Sequence, residues 1–476
     1  MLTQIKARVP STTSAPSLSI PWTHLFARTA AAPLIFFRIA FGGIMLWEIW
    51  RYFNYGWIAR YFIEPTFYFS YFPFDWLRPW PGDGMYWHFY GLALLAVMIL
   101  VGLYYRVSMI LFFLGFTYVF LLDHTNYLNH FYLISLISFL MIFLPANKQL
   151  SLDAHLRPAL REKTVPVWTV ALLQFQVGIA YFFGGIAKIN PDWLRGAPMR
   201  DWLAARTDFP LIGHLFTEEW MVYFFSYGGL FFDLLVIPLL LWRPTRTPAL
   251  IVMTLFHVTN ARLFTIGIFP WFMIAATLIL FAPRWLTRTP LWKLGGVPET
   301  APPGPPASLS RRQKWTLALL GVYVVWQILM PLRHWLYPSD VSWSEEGHNF
   351  AWHMKLRGKS GDIRMYIYDK TQLTTEEIPL REHLSSRQLS KMATRPHMIL
   401  QFAHAVAADL RAEGRTNFSI HARAWAALNG RDWQLLIDPA VDLASQPRDI
   451  WYKPWVLPLE TPLIIRPGQP AAGDDE

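Results

Sequence analysis

Nine apolar stretches, each long enough to cross or nearly cross a hydrocarbon layer of about 30 Å, recur between Pro33 and Leu336. They cover about 34–51, 86–104, 107–122, 131–145, 166–187, 220–242, 248–262, 266–282 and 314–335. A backbone immersed in lipid must satisfy its own hydrogen bonds, so such runs fold as helices. The fourth, seventh and eighth are short, which leaves room for re-entrant or tilted segments. Trp47, Trp50, Trp57, Trp80, Trp87, Trp193, Trp220 and Trp242 crowd the ends of the runs, as an interfacial aromatic belt requires. With 54% hydrophobic and 17% aromatic residues, the chain is too apolar for a soluble enzyme of this length. The fold class expected is a polytopic α-helical membrane protein of about nine spans.

A formal charge of +10 invites a nucleic-acid reading, but its distribution argues against one. Beyond Pro338 there are 16 Lys and Arg against 18 Asp and Glu, so the excess belongs to the apolar half. With nine spans and a cytoplasmic N-terminus, the inner segments hold 16 basic residues and the outer loops eight. The positive-inside rule then places the N-terminus inside and the C-terminus outside. No nucleic-acid partner is expected. Residues 1–32 are rich in Ser, Thr, Pro and Ala without an apolar core, and are expected to be a disordered cytoplasmic lead-in rather than a cleavable signal. The chain has no cysteine, which excludes disulfides, thiolate nucleophiles and Cys-ligated metal sites. An outer domain without disulfides fits a bacterial inner membrane, with that domain periplasmic, better than the endoplasmic reticulum, where it would be luminal.

Residues 33–337 form the expected membrane domain, interrupted by the Pro-rich linker 298–308. From 338 to 476 the pattern changes to a C-terminal extramembrane α+β domain, mainly β. Asp362–Tyr368 alternates apolar and polar residues. Phe418–Trp425 and Trp433–Ile437 flank Asn429-Gly430, a hairpin signal. Met398–Leu410 carries apolar residues at helical spacing.

Several polar residues interrupt the apolar pattern. Lys188 ends the run that begins at Ala171. Position alone leaves two readings: a lysine snorkelling to the headgroups, or an amine kept neutral by desolvation and able to act as a base. Asn129 and His130 open the fourth span, while His257, Asn260 and Arg262 close the seventh. The charge-derived topology puts all of them, with Lys188, at the outer membrane face. Ionisable residues gathered at one face of a membrane domain are functional-site candidates. His257 and Asn260, at i and i+3, are suited to a metal only in part. No carboxylate or second histidine follows at ligand spacing, so no metal is expected.

The stretches Asn129–Leu133, Tyr181–Leu194, Leu255–Phe269 and Trp433–Asp442 resemble the vitamin K-dependent γ-glutamyl carboxylase family and its bacterial relatives. Their order and spacing cover most of the chain after Pro33. The resemblance implies a reaction in which a membrane-soluble hydroquinone of the menaquinol or phylloquinol type is deprotonated, reacts with O2 and becomes a strong base. That base removes the γ-proton of a peptide glutamate, CO2 adds, and the quinone leaves as its epoxide. The partners implied are membrane lipid, the hydroquinone and a glutamate-containing peptide or protein. The family's hydroquinone-activating lysine carries over to Lys188 and its catalytic histidine to His130. His257, Asn260, Tyr181, Asn129 and Arg262 are expected to hold the quinone or substrate. Among its departures from the animal enzymes, the chain has no cysteine for their inter-domain disulfide, and Ala187-Lys188 replaces their Lys-Lys pair. The alternatives are an epoxidase without carboxylation and a non-enzymatic membrane protein whose outer domain binds a partner. Replacing Lys188 by Ala is expected to leave the fold intact, as for any lysine at a helix end.

Overall fold

Each of the nine apolar stretches contains a helix in the computed structural model, which describes residues 22–264, 266–280, 288, 290 and 303–465. The helices are α1 (Ala32–Asn54), α2 (Gly84–Val101), α3 (Tyr105–Leu122), α4 (Asn129–Phe143), α5 (Val167–Ala187), α6 (Glu219–Leu241), α7 (Arg246–Leu263), α8 (Phe269–Leu280) and α9 (Arg311–Leu332). Six of them are long and apolar enough to cross a membrane: α1, α2, α3, α5, α6, and α9 with its extension to Leu336. Of the about nine spans expected, six are thus supported by length and composition among the described residues. Helix α4 has only 15 residues and α8 only 12 described ones. Helix α7 reaches 18 residues, but Arg246, His257, Asn260 and Arg262 dilute its apolar character.

Aromatic rings fill the centre of the helical region. Phe37 and Phe41 of α1 meet Phe272 of α8 edge to face, and Phe41 meets Phe112 of α3 in the same way. Such contacts add about 0.5–1.5 kcal/mol each beyond the area they bury. Helix α9 lies at the periphery, tied to α5 by the Tyr323 hydroxyl, which donates to Gln176 Oε1 at 2.5 Å. Part of the segment assigned to the lead-in is ordered. Trp22–Phe26 forms a 3₁₀ turn, and strand β1 (Arg28–Ala30) pairs antiparallel with β2 (Thr164–Pro166). The Arg28 side chain reinforces this pairing through two hydrogen bonds to Thr164. Residues 1–21 and linker residues 298–302 lie outside the described residues.

The C-terminal domain is α+β, as expected. Its four-stranded antiparallel sheet has the order β4-β3-β5-β6, with β3 Lys359–Asp369, β4 Thr374–Glu377, β5 Phe418–Leu428 and β6 Gln434–Leu435. Alternate residues of the two long strands, Ile363, Met365 and Ile367 with Ile420, Ala422 and Ala424, are buried under helices α10 (Ser386–Ala393) and α11 (Pro396–Ala412). Asn429 and Gly430 both adopt positive φ (52° and 76°) and open the five-residue connection between β5 and β6. Strand β6 is only two residues long; just beyond it Leu436 still donates its backbone N–H to the Ala424 carbonyl at 2.8 Å, and the side chains of Leu436 and Ile437 are buried. Strand β4 carries no apolar signal: all four residues are exposed, and its two glutamates blunt a free edge.

This domain sits on the helix ends where the polar residues cluster. Arg431 grips Asp192 with two bonds of 2.6 and 2.7 Å, and Asn429 Nδ2 adds a third at 2.7 Å. Asn129 Nδ2 donates to the His353 carbonyl at 2.9 Å, and Gln388 Nε2 to the Phe67 carbonyl at 2.7 Å. Burial pushes the Asp192 carboxyl up, but the bonds from Arg431 and Asn429 outweigh it and hold the group below the usual range. A depressed carboxyl stabilises fully above its unfolded value of about 3.9 and loses that contribution as pH falls through the lower folded value. Domain docking is therefore expected to loosen below about pH 4. Thermal unfolding against pH should show this loss in the native protein and a flatter profile in Asp192→Asn. The charge asymmetry makes a second prediction: reporters fused at Glu476 and within the 298–306 linker should report opposite sides of the membrane.

Candidate active site

Helix α5 ends in the sequence Tyr181-Phe-Phe-Gly-Gly-Ile-Ala-Lys188, and each polar or small residue in it has a definite place. Gly184 and Gly185 let α6 come close. A Cβ at Gly185 would lie 2.7 Å from the Leu234 side chain and 3.2 Å from its backbone nitrogen, and one at Gly184 would lie 3.3 Å from Asp233 Oδ2. That approach brings Asp233, mid-way along α6, against Lys188: Nζ to Oδ2 is 2.5 Å, and both side chains are buried. Nζ also donates to the Gly184 carbonyl at 3.2 Å, so the lysine turns back over its own helix. It lies 5.3 Å from the Trp193 ring centroid, within cation–π range. Snorkelling is excluded by this geometry, because the amine points inward to a carboxylate. Beyond Lys188, Asn190 Oδ1 accepts from the Trp193 backbone nitrogen at 2.9 Å and caps the turn that follows. Trp193 in turn exchanges two hydrogen bonds with Ser226 of α6.

A second polar pair lies two turns back. Tyr181 Oη and His257 Nε2 share a 2.7 Å hydrogen bond, both groups are buried, and His257 Nδ1 has no partner among the described residues. The two pairs face one cavity of about 100 Å³. A single water needs about 10–15 Å³ on that measure, so this is a chamber rather than a packing gap. Its walls are mostly aromatic and apolar, among them Phe225, Phe256, Phe264, Phe269 and Met273. Its remaining side comes from the C-terminal domain, which contributes Trp352, Met354 and Lys355.

The residues singled out in the sequence divide into three groups. Lys188, Tyr181, His257, Asn129 and Asn260 line the cavity. Asn129 also accepts from the Tyr127 hydroxyl at 3.0 Å, so it braces the start of α4 against the outer domain. His130 stands one ring away. It packs on Phe131 and Phe269, with centroids 4.8 and 5.7 Å distant, and Phe269 also contacts His257 at 6.0 Å. Arg262 is exposed, and its carbonyl accepts from Arg206. Asp442, in the fourth resembling stretch, serves the outer domain's own chain path by accepting from the Ile420 and Ala444 backbone nitrogens.

Two features escaped the sequence reading. Asp233 is the sole charged residue of the 220–242 run, and a lone carboxylate in an apolar run is itself a sign of function. The Trp352–Lys355 loop gave no such sign, because nothing in its local pattern tells that it folds under the domain.

Residues 26–285 match the model of the HTTM domain, more than half of the chain, and residues 312–462 match the model of the vitamin K-dependent gamma-carboxylase, lumenal domain. The chain belongs to the vitamin K-dependent γ-carboxylase family. No solved structure matches it. The second match makes the C-terminal domain of lumenal type, joined here to a helical region with six candidate spans. The family's chemistry calls for a vitamin K hydroquinone, and the cavity suits one. Its walls are largely aromatic, polar side chains line it in two places, and His257 Nδ1 has no partner among the described residues.

The glycine pair generates a prediction that needs no ligand. Gly185→Ala should force α5 and α6 apart and cost about 1–3 kcal/mol as an overpacked contact. A lowered unfolding temperature in detergent, with altered Trp193 fluorescence, is the expected result.

Proposed function

We propose that the chain is a vitamin K hydroquinone-dependent γ-glutamyl carboxylase, with Lys188 as the group that takes the hydroquinone's proton. The observation that carries this reading is the meeting of two polar pairs, Lys188 with Asp233 and Tyr181 with His257, in one apolar cavity closed by the outer domain. When bound, the hydroquinone supplies the reaction with O2 that generates the strong base and leaves the epoxide. Tyr181, His257 and Asn260 hold the quinone by its hydroxyl groups, and the aromatic walls exclude water, which a strong base requires. His130 packs against Phe269, which lines the cavity, and bears on the site through that ring. The wall made by Trp352–Lys355 is where a glutamyl peptide arriving from water meets the membrane-borne reactant.

The test is purified protein in detergent with reduced vitamin K, bicarbonate and a glutamyl peptide, expected to yield both epoxide and carboxylated peptide. Epoxide without CO2 fixation confines the protein to the oxygenation half. Neither product, in a folded sample given several quinones, overturns the reading in favour of a non-enzymatic role.

The buried pair also changes which variant is informative. Lys188→Ala strands the Asp233 carboxylate, and breaking a buried pair costs about 3–5 kcal/mol, so the expectation of an unperturbed fold gives way. Lys188→Arg keeps a cation opposite Asp233 but cannot act as a base. It is expected to lose about 100-fold or more in epoxidation rate while melting close to the native protein.

A further inference from the structure

Lys188 Nζ lies 2.5 Å from Asp233 Oδ2, and an amine that already carries its proton in that contact is not a base. For Lys188 to accept a proton, it must first hand one on. Its nitrogen has two hydrogen-bond acceptors, the Gly184 carbonyl and Asp233 Oδ2, and of these only the carboxylate can hold a proton. Asp233 is buried, lines the cavity beside the amine, and is the sole charged residue of its apolar run. Gly184 leaves the room that its oxygen occupies.

We infer that Asp233 is the terminal proton acceptor of the site, with Lys188 as the relay and the counter-charge; the inference rests on the hydroquinone reading given above. In the step, an N–H bond of the ammonium breaks and an O–H bond forms on Asp233. The lone pair freed on Nζ takes the hydroxyl proton of the ligand and the ammonium is restored. One proton has moved from the ligand hydroxyl to Asp233. The positive charge on Lys188, no longer neutralised by the aspartate, balances the negative charge left on the ligand oxygen. No oxidant or further reactant enters this step.

Infrared difference spectroscopy on the full-length protein, with reduced vitamin K added in the absence of O2, tests this without turnover. Quenching of tryptophan fluorescence reports binding in the same sample. The native protein should gain the carbonyl stretch of a protonated carboxylic acid, and Asp233→Asn should bind but lack that band. Asp233→Glu should restore it at a shifted position. In turnover, Asp233→Asn should lose about 100-fold in kcat with KM for the hydroquinone little changed, and Asp233→Glu should recover much of the loss. Binding without an acid band, a band that persists in Asp233→Asn, or near-native kcat in that variant overturns the inference and leaves the hydroquinone reading standing. Absence of binding to the native protein overturns the hydroquinone reading itself, and the inference falls with it.

Discussion

The organisation of the site follows from one buried ion pair. Removing an amine and a carboxylate from water is expensive, and their attraction compensates only when the geometry is close and the remaining hydrogen-bonding positions are filled. Lys188 and Asp233 meet that condition at 2.5 Å, with the Gly184 carbonyl accepting a second hydrogen bond from Nζ and the Trp193 ring 5.3 Å away. The approach depends on two adjacent glycines in α5, because small residues are what allow helix backbones to pack closely where lipid offers no hydrophobic drive between them. The same stretch then turns at Asn190 and presents Asp192 to Arg431. Within a dozen residues the chain sets the helix contact, the reactive pair and the anchor for the outer domain.

That outer domain is part of the site rather than an appendage. Its loop from Glu345 to Arg357 carries four non-glycine residues at positive φ, Glu345, Phe350, Trp352 and Lys355. Left-handed backbone at bulky residues is strained and persists only where the surroundings enforce it. Here Glu345 pairs with Arg357, and Lys359 Nζ donates to the Thr394 carbonyl at 2.7 Å. Burial pushes the Lys359 ammonium down to about 7 despite the neighbouring Glu345 carboxylate. Trp352, packed 4.9 Å from the Tyr132 ring, is thereby held in the cavity wall. Strain of this kind is found where a loop must be aimed.

Much of the fold was legible because its signals are local. Long apolar runs gave the positions of all nine helices, and the three flagged as short, α4, α7 and α8, are those that fall outside the spanning set. Period-two alternation found β3 and β5, and Asn429-Gly430 found the turn between β5 and β6. Strand β4 was invisible because its four exposed residues carry no apolar period. The site was legible in part. Lys188 and His257 stood out as ionisable residues in apolar surroundings, but the carboxylate that pairs with the amine did not.

The sequence by itself determined where helices form and where long apolar runs give way to strand alternation, since each depends on composition along a short window. Tertiary structure decided what those residues do to one another. Asp233 lies 45 positions from Lys188 and His257 lies 76 from Tyr181, and no local pattern encodes either meeting. His130 packs against the Phe269 ring of another helix and does not itself line the cavity, a placement that no local pattern encodes. Helix periodicity fixes which residues share a face, while the approach of two faces is set by packing between elements distant in the chain. Proton chemistry depends on that approach, because a lysine becomes reactive or inert according to the group brought within hydrogen-bonding distance of it.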